Sequence, residues 1–331
     1  MTTYRNACRA ILRVLVIFPG ALGDLMCVMP AIDAIARRHA GASVELMARN
    51  ELAELAGGRT AIARAHSIDG REVSALFTDE RSESARRLFS QFDRIYSFFA
   101  SDDARFRSGL AAATSGEVSF HQFRPDDYGH VAKAYLRAIG EADSSSLPRL
   151  EPNADDLAAA GRALRQSGCG VSKFIAIFPG SGSPAKNWPA DRFAALATTP
   201  GKRSEILRCA GPAPIDSIVV LGPAEEALEP IFRDAGIPVL NNLDLPTVAG
   251  IARMASAFVG NDSGVSHLAA AVGTSGVAIF GPTDAARWRP MASRPGQRIE
   301  TIRRLPLQAI ELREVASLLS KICSASSNII D

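Results

Sequence analysis

Two segments about half a chain apart share one pattern, and it limits what this chain can become. Val14-Leu15-Val16-Ile17-Phe18-Pro19-Gly20 recurs in kind at Phe174-Ile175-Ala176-Ile177-Phe178-Pro179-Gly180. A continuous apolar β-run suits a strand buried on both faces of a parallel sheet. Each run breaks at Pro-Gly into a loop of small residues followed by a helix. Two such openings predict an α/β chain of two doubly wound domains in tandem. The 331 residues agree with about two domains, and a hydrophobic fraction of 47% provides for two cores.

The break Asp143-Ser144-Ser145-Ser146-Leu147-Pro148 marks the predicted linker, giving an N-terminal domain over 1–150 and a C-terminal domain over 151–331. In the first, the periodicity predicts a helix over 28–39, a strand over 43–48 and a helix over 51–56. In the second it predicts helices over 154–166, 190–197 and 225–234, and strands over 217–221 and 239–240. A last helix over 307–323 can pack on either domain.

The most telling local segment is 257–284. A β-run over 257–260 ends in Asn261-Asp262-Ser263-Gly264, and a helix of small residues over 265–272 begins at once. Gly273 stops it, and a second apolar run over 276–280 leads into Gly281-Pro282-Thr283-Asp284. The first turn of such a helix carries unpaired N–H donors and positive partial charge, which suits a phosphate. Gly264 would let a ligand approach the backbone, with Ser263 and Ser266 adding hydroxyls. Equally, Asp262 or Ser263 could simply cap the helix. His267, one turn in, is either a packing residue or a contact to a phosphate or sugar oxygen.

Three further loops follow predicted strands. Gly20-Ala21-Leu22-Gly23-Asp24 is not a dinucleotide fingerprint, because its glycines are three apart and an acid follows. Asp24 is either a first-turn helix acid or a carboxylate held ready to take a proton from a hydroxyl. Gly180-Ser181-Gly182-Ser183-Pro184-Ala185-Lys186 lacks the Gly-Lys-[Ser/Thr] of a P-loop. Its glycines, Ser181, Ser183 and Lys186 nonetheless form a plausible oxyanion cradle. Trp188-Pro189 reads as a loop anchor and helix start. In Gly222-Pro223-Ala224-Glu225-Glu226, one acid could bind ribose or both could be first-turn acids.

Composition narrows the function. A net charge of +2 gives no general reason to bind nucleic acid. Cys8, Cys27, Cys169, Cys209 and Cys323 are scattered, which reads as reduced cytoplasmic thiols. No apolar run is long enough for a membrane span. The expectation is a soluble cytoplasmic protein, compatible with peripheral contact at the cytoplasmic face of the inner membrane. No Ser-His-Asp set and no D-x-D pair for a nucleotide-bound metal is visible.

Taken together, these motifs resemble the bacterial heptosyltransferases, which add heptose from ADP-heptose to the lipopolysaccharide inner core. The matching pieces are Leu22-Gly23-Asp24 with Pro30-Ala31, then Pro179-Gly180-Ser181 with Lys186 and Trp188-Pro189. Asn261 to Thr274 and Phe280-Gly281-Pro282-Thr283-Asp284 complete the set. The resemblance implies a GT-B fold, two Rossmann-like domains facing across a cleft, with donor in the C-terminal and acceptor in the N-terminal one. It implies inverting transfer with no metal and no cofactor. It makes Asp24 the catalytic base and Lys186 a diphosphate contact, with Gly23, Ser181 and Ser183 in the substrate loops. Ser263, Gly264 and His267 would hold the diphosphate, with Asp262 near the sugar hydroxyls. Glu225 would approach the ribose and the backbone at Leu243 the base. The implied partners are a nucleotide-sugar donor and a glycan or lipid-linked glycan acceptor.

Ser263 stands where many of these enzymes carry threonine, and the N-terminal half lacks a concentrated Lys/Arg stretch for a phosphorylated acceptor. A sugar-nucleotide epimerase and a non-catalytic nucleotide-sugar binder are the competing readings. The first would need further acids and histidines at the sugar, and the second would not need Asp24.

Overall fold

The computed structural model describes residues 11–78, 82–168, 173–198 and 216–326. Cys8, Cys169 and Cys209 lie outside these residues. Cys27 and Cys323 are buried and in no disulfide. Contacts divide the chain into two compact units: residues up to Pro19 with Ala31–Pro125, and Gly20–Pro30 with Asp126 onward.

The first unit holds a five-stranded parallel sheet of β1 (Arg13–Ile17), β2 (Ser43–Ala48), β3 (Arg64–Ser67), β4 (Arg94–Ser97) and β5 (Glu117–Phe120), in the order β3-β2-β1-β4-β5. The central strand β1 is buried along Val14–Ile17, as its unbroken apolar run requires. Ser82 and Asp103 cap the helices Glu83–Phe89 and Ala104–Ala113. These helices contribute Phe89, Phe106 and Leu110 to the same core as Leu15, Ile17 and Ile95. Glu45 is the one acid inside β2, and it is only 2% exposed. Its carboxylate receives Arg13 Nε at 2.8 Å and lies 2.7 Å from His66 Nε2, so the buried charge is partnered.

The second unit holds six parallel strands, β6 (Phe174–Phe178), β7 (Asp216–Val220), β8 (Val239–Leu240), β9 (Ala257–Asn261), β10 (Gly276–Phe280) and β11 (Ile299–Arg303). Their order is β11-β10-β9-β6-β7-β8. The chain starts at β6, moves outward to β8, then returns to β9 on the other side of β6. Strand order therefore reverses between β6 and β9, and the loops at their carboxyl ends diverge to leave a crevice in such a sheet.

The last helix, Leu312–Ser326, packs on β9, β10 and the helix Ala190–Ala197, placing Val315, Leu319 and Ile322 in the second unit's core. The stretch 143–148, read from sequence as a linker, falls inside the second unit. Lys133 Nζ donates to the Ser144 carbonyl at 2.8 Å, and Leu150 N–H to the Ala271 carbonyl at 3.1 Å.

Three helices differ from expectation; the last, expected over 307–323, is a 3₁₀ turn Leu307–Ala309 followed by the helix Leu312–Ser326. The helix expected over 28–39 begins at Leu22 and runs to Arg38 through Pro30. Asp24 Oδ2 accepts the Ala21 N–H at 3.2 Å and so supports an early start, while Pro30 removes one intrahelical bond without ending the helix. The helix expected over 225–234 is a 3₁₀ segment, Pro223–Leu228, followed by an α-helix Glu229–Asp234 with Pro230 in its first turn.

Trp188 is 1% exposed, packs edge-on against Phe193 at 5.0 Å and donates its indole N–H to the Ile310 carbonyl at 3.2 Å. Truncating it leaves a large void, while the Ile310 carbonyl keeps Arg192 Nη1 as a donor. Trp188→Ala is expected to cost about 3–5 kcal/mol, read as a fall in the urea midpoint of tertiary fluorescence or circular dichroism.

Candidate functional site

The reversal between β6 and β9 gathers the residues singled out from sequence. Asn261, the last residue of β9, is fully buried. Its side-chain NH2 donates to the Pro179 carbonyl at 2.6 Å, and its Oδ1 accepts the Trp188 N–H at 2.9 Å. One amide thus pins both ends of the 179–188 loop to the neighbouring strand. Inside that loop, Ser181 Oγ lies 2.8 Å from the Ser183 carbonyl and 2.6 Å from Asn187 Oδ1. The Ser181 hydroxyl is spent on shaping the loop. Ser183 begins the turn Pro184–Lys186, which aims the Lys186 side chain toward β9.

There Lys186 Nζ meets Asp262 Oδ2 at 2.8 Å, across 76 residues of sequence. The Asp262 carboxylate is paired with lysine, and the next residue makes no cap either. Ser263 is the N-cap residue of the helix Gly264–Ala271, with extended backbone and no side-chain cap hydrogen bond. Its Oγ is 3.4 Å from Ser266 Oγ, while Ser266 Oγ donates to the Asn261 carbonyl at 2.7 Å. The first-turn N–H groups therefore keep their capacity to receive an anion.

A second helix start lies against this one. A Cβ placed on Gly264 would stand 2.8 Å from Leu22 Cβ and 3.0 Å from the Gly23 nitrogen. Only glycine at 264 allows backbone this close. The contact brings in Asp24, which is 5% exposed. His267 lies under the same junction, with its Cδ2 3.5 Å from where a Gly23 Cβ would be. Its Nδ1 is 3.7 Å from Cys27 Sγ, and the ring also hydrogen-bonds the Trp288 carbonyl. Burial pulls its pKa from 6.5 down to about 4. The carboxylates of Asp262 and Asp24 and the Trp288 carbonyl oppose that fall, and His130 adds to it. His267 is therefore neutral at pH 7, a hydrogen-bonding group rather than a cation.

Glu225 and Leu243 sit further along the same sheet edge. Glu225 Oε2 accepts the Gly222 N–H at 2.8 Å, so it serves its own turn as a first-turn acid does. Its side chain also lies over Gly180, where a Cβ would come within 2.2 Å of its carboxyl carbon. Leu243 follows β8, half-buried, just before Asp244 caps the helix Leu245–Met254. Asp262, Lys186, Glu225 and Leu243 thus follow β9, β6, β7 and β8, which are neighbours in that order in the sheet.

The profile of glycosyltransferase family 9 (heptosyltransferase) matches residues 104–314. The chain belongs to that family. It is a glycosyltransferase, and this sides with sugar transfer over the epimerase and the non-catalytic binder. No curated protein sequence matches it. Among solved structures it is similar to a family 9 glycosyltransferase from Veillonella parvula, at 18% identity over 94% of this chain and 97% of the other, with a TM-score of 0.73. It is similar to the ADP-heptose lipopolysaccharide heptosyltransferase II of E. coli, at 17% identity over 96% and 100% of the two chains and a TM-score of 0.73. The E. coli heptosyltransferase WaaC, solved with ADP, matches at 17% identity over 94% and 100%, with a TM-score of 0.66. These likenesses show the GT-B class of α/β fold.

Within this glycosyltransferase, the residues that sequence reasoning missed are mostly those that hold others in place. Asn261 and Asn187 organise the 179–188 loop, Cys27 faces His267, and Trp288 supplies the carbonyl to its ring. Asn261 had a signal, because a polar residue closing an apolar β-run must find buried partners. Trp288 had none. Its carbonyl reaches His267 only because Asp284, accepting the Ala286 N–H at 2.9 Å, starts the short helix Ala285–Trp288.

Two outcomes test this geometry. Gly264→Ala should lower stability by about 1–3 kcal/mol, as overpacking does. Gly23→Ala, whose Cβ meets nothing nearer than 3.5 Å, should change the melting temperature little; equal melting temperatures for the two variants would refute the close approach. For His267 the sign is fixed by its depressed folded pKa. The unfolded chain binds the proton more readily, so stability is complete above about pH 6.5 and falls as pH drops toward about 4. His267→Gln should lose that part of the acid dependence in chemical denaturation between those pH values.

Proposed function

We propose that this glycosyltransferase moves a heptose from ADP-heptose onto a lipopolysaccharide core or a related glycan, with inversion and without a metal. The observation that carries the reading is the junction of Gly23 with Gly264, which brings the helix turn that contains Asp24 against a helix start able to receive phosphate. Inverting transfer needs these two devices together. One group takes the proton from the acceptor hydroxyl, and another steadies the charge that builds on the departing diphosphate.

In this reading Asp24 is the general base. The diphosphate lies at the β6–β9 crevice, against the first turn of Gly264–Ala271, with Gly23, Ser181, Ser183, Lys186, Ser263 and His267 around it. The order of strand ends supports the rest of the donor's placement. Adjacent strands lie about 4.8 Å apart, so a ligand crossing from β6 to β8 spans about 10 Å. That is the reach of a nucleoside extending from its phosphates, ribose toward Glu225 after β7 and base toward the backbone at Leu243 after β8. Asp262 is left for the sugar hydroxyls. As a neutral imidazole, His267 orients by hydrogen bonding and adds no charge.

Glycan or lipid-linked glycan is the acceptor class that goes with this donor, and the reaction belongs in the cytoplasm, where nucleotide sugars are made. Among the described residues, no helix is long and apolar enough to cross a membrane. In this reading an acceptor anchored in the inner membrane is met from its cytoplasmic face.

The test is product analysis with ADP-sugars and UDP-sugars, with and without a glycan acceptor. Free nucleotide should be released from the ADP-sugar only when acceptor is present, with the anomeric configuration inverted. Asp24→Asn should slow transfer by about 10²–10⁴-fold, the usual worth of a general base, while calorimetry still shows nucleotide binding. Transfer at the parent rate by that variant would remove Asp24 from the chemistry.

A further inference from the structure

Lys186 is a cation that the structure puts at this helix start, and it is already committed. Its Nζ stands 2.8 Å from Asp262 Oδ2, and the side chains are 34% and 7% exposed respectively. Asp262 is thus the deeper partner, and it directly precedes the N-cap residue Ser263. Asp24 brings a second carboxylate to the same junction, and His267 is neutral. The charge of Lys186 is therefore already met by a carboxylate where a diphosphate is to be received. A lysine acting as a spare cation would leave the site open to anions before any ligand arrives, and this arrangement does not.

We infer that Lys186 serves a nucleoside diphosphate chiefly by masking Asp262. With the lysine in place, the Asp262 charge is balanced and an anion can approach the first-turn N–H groups. Without it, a nearly buried carboxylate stands unpartnered at the helix start, a costly state in itself. Such a carboxylate would repel the diphosphate in a setting where charges are poorly screened. Lys186 is in this sense a positioning residue that acts through Asp262, and the inference rests on the proposed donor site. It carries a consequence that a direct lysine–phosphate contact lacks: removing the Asp262 charge should make Lys186 dispensable for nucleotide binding.

The experiment is calorimetric titration with ADP and with UDP of four full-length proteins: the parent, Lys186→Gln, Asp262→Asn and the double variant. Lys186→Gln should weaken ADP binding by about tenfold or more, as truncating one member of a buried charge pair does. Asp262→Asn should bind at least as well as the parent. The double variant should match Asp262→Asn to within about twofold, since the second change then has nothing to unmask. A double variant as weak as Lys186→Gln overturns the masking role and restores a direct contact. Unchanged affinity in Lys186→Gln also overturns it, because a merely structural pair would move the melting temperature and leave affinity alone. Should Lys186→Gln fail to fold, the comparison of Asp262→Asn with the double variant decides alone: equal affinity supports masking, weaker binding refutes it. A parent protein that binds neither nucleotide overturns the donor site itself, and the masking role with it.

Discussion

The second unit depends on a buried amide. Asn261 lies at the end of β9 with no solvent exposure, and its side chain satisfies the Pro179 carbonyl and the Trp188 N–H. Both groups sit at the mouth of the neighbouring strand, where the sheet's own ladder has ended. Buried backbone groups must find partners somewhere. Had Asn261 been apolar, the 179–188 loop would have needed water or a different path. Because it is asparagine, the loop folds back on the sheet, Trp188 drops into the core, and Lys186 is directed at Asp262. The site's charged pair is a consequence of a neutral hydrogen-bonded anchor.

A second constraint is steric. Two helix starts, at Leu22 and Gly264, meet at a distance that a side chain on 264 would forbid. Each start has its own electrostatic preference for negative charge. At one of them that preference is met from within, by Asp24 accepting the Ala21 N–H. At the other the N-cap residue leaves it unmet. The asymmetry is one of hydrogen bonding, since one helix start carries its own carboxylate and the other has no side-chain cap. The neutral His267 beneath them adds hydrogen bonding without altering the charge balance.

Much of this was legible in the residues. The paired apolar runs ending in Pro-Gly indicated parallel sheets with buried central strands, because only such strands dispense with alternation. Each site residue named from the motifs stands at a strand's carboxyl end or in the helix turn that follows. Elements with strong periodicity, such as the strands Ser43–Ala48 and Gly276–Phe280 and the helix Ala154–Gln166, keep the bounds read from sequence. Those near proline do not, since proline at 30 is absorbed within a helix while prolines at 223 and 230 divide one. Proline's local cost is the same in each case; what differs is how much packing the surrounding helix gains.

The chain by itself determined its class, two α/β units built on continuous apolar strands, and the residue types offered at their edges. These follow from short-range patterns: period, turn chemistry and the steric freedom of glycine. Which of those residues touch was decided only in three dimensions. Lys186 meets Asp262 across 76 residues, Cys27 meets His267 across 240, and Gly23 lies against Gly264. No local rule predicts these meetings, because they join segments far apart in the sequence. The neutrality of His267 is equally tertiary, since it is burial from several elements at once that drives the proton off.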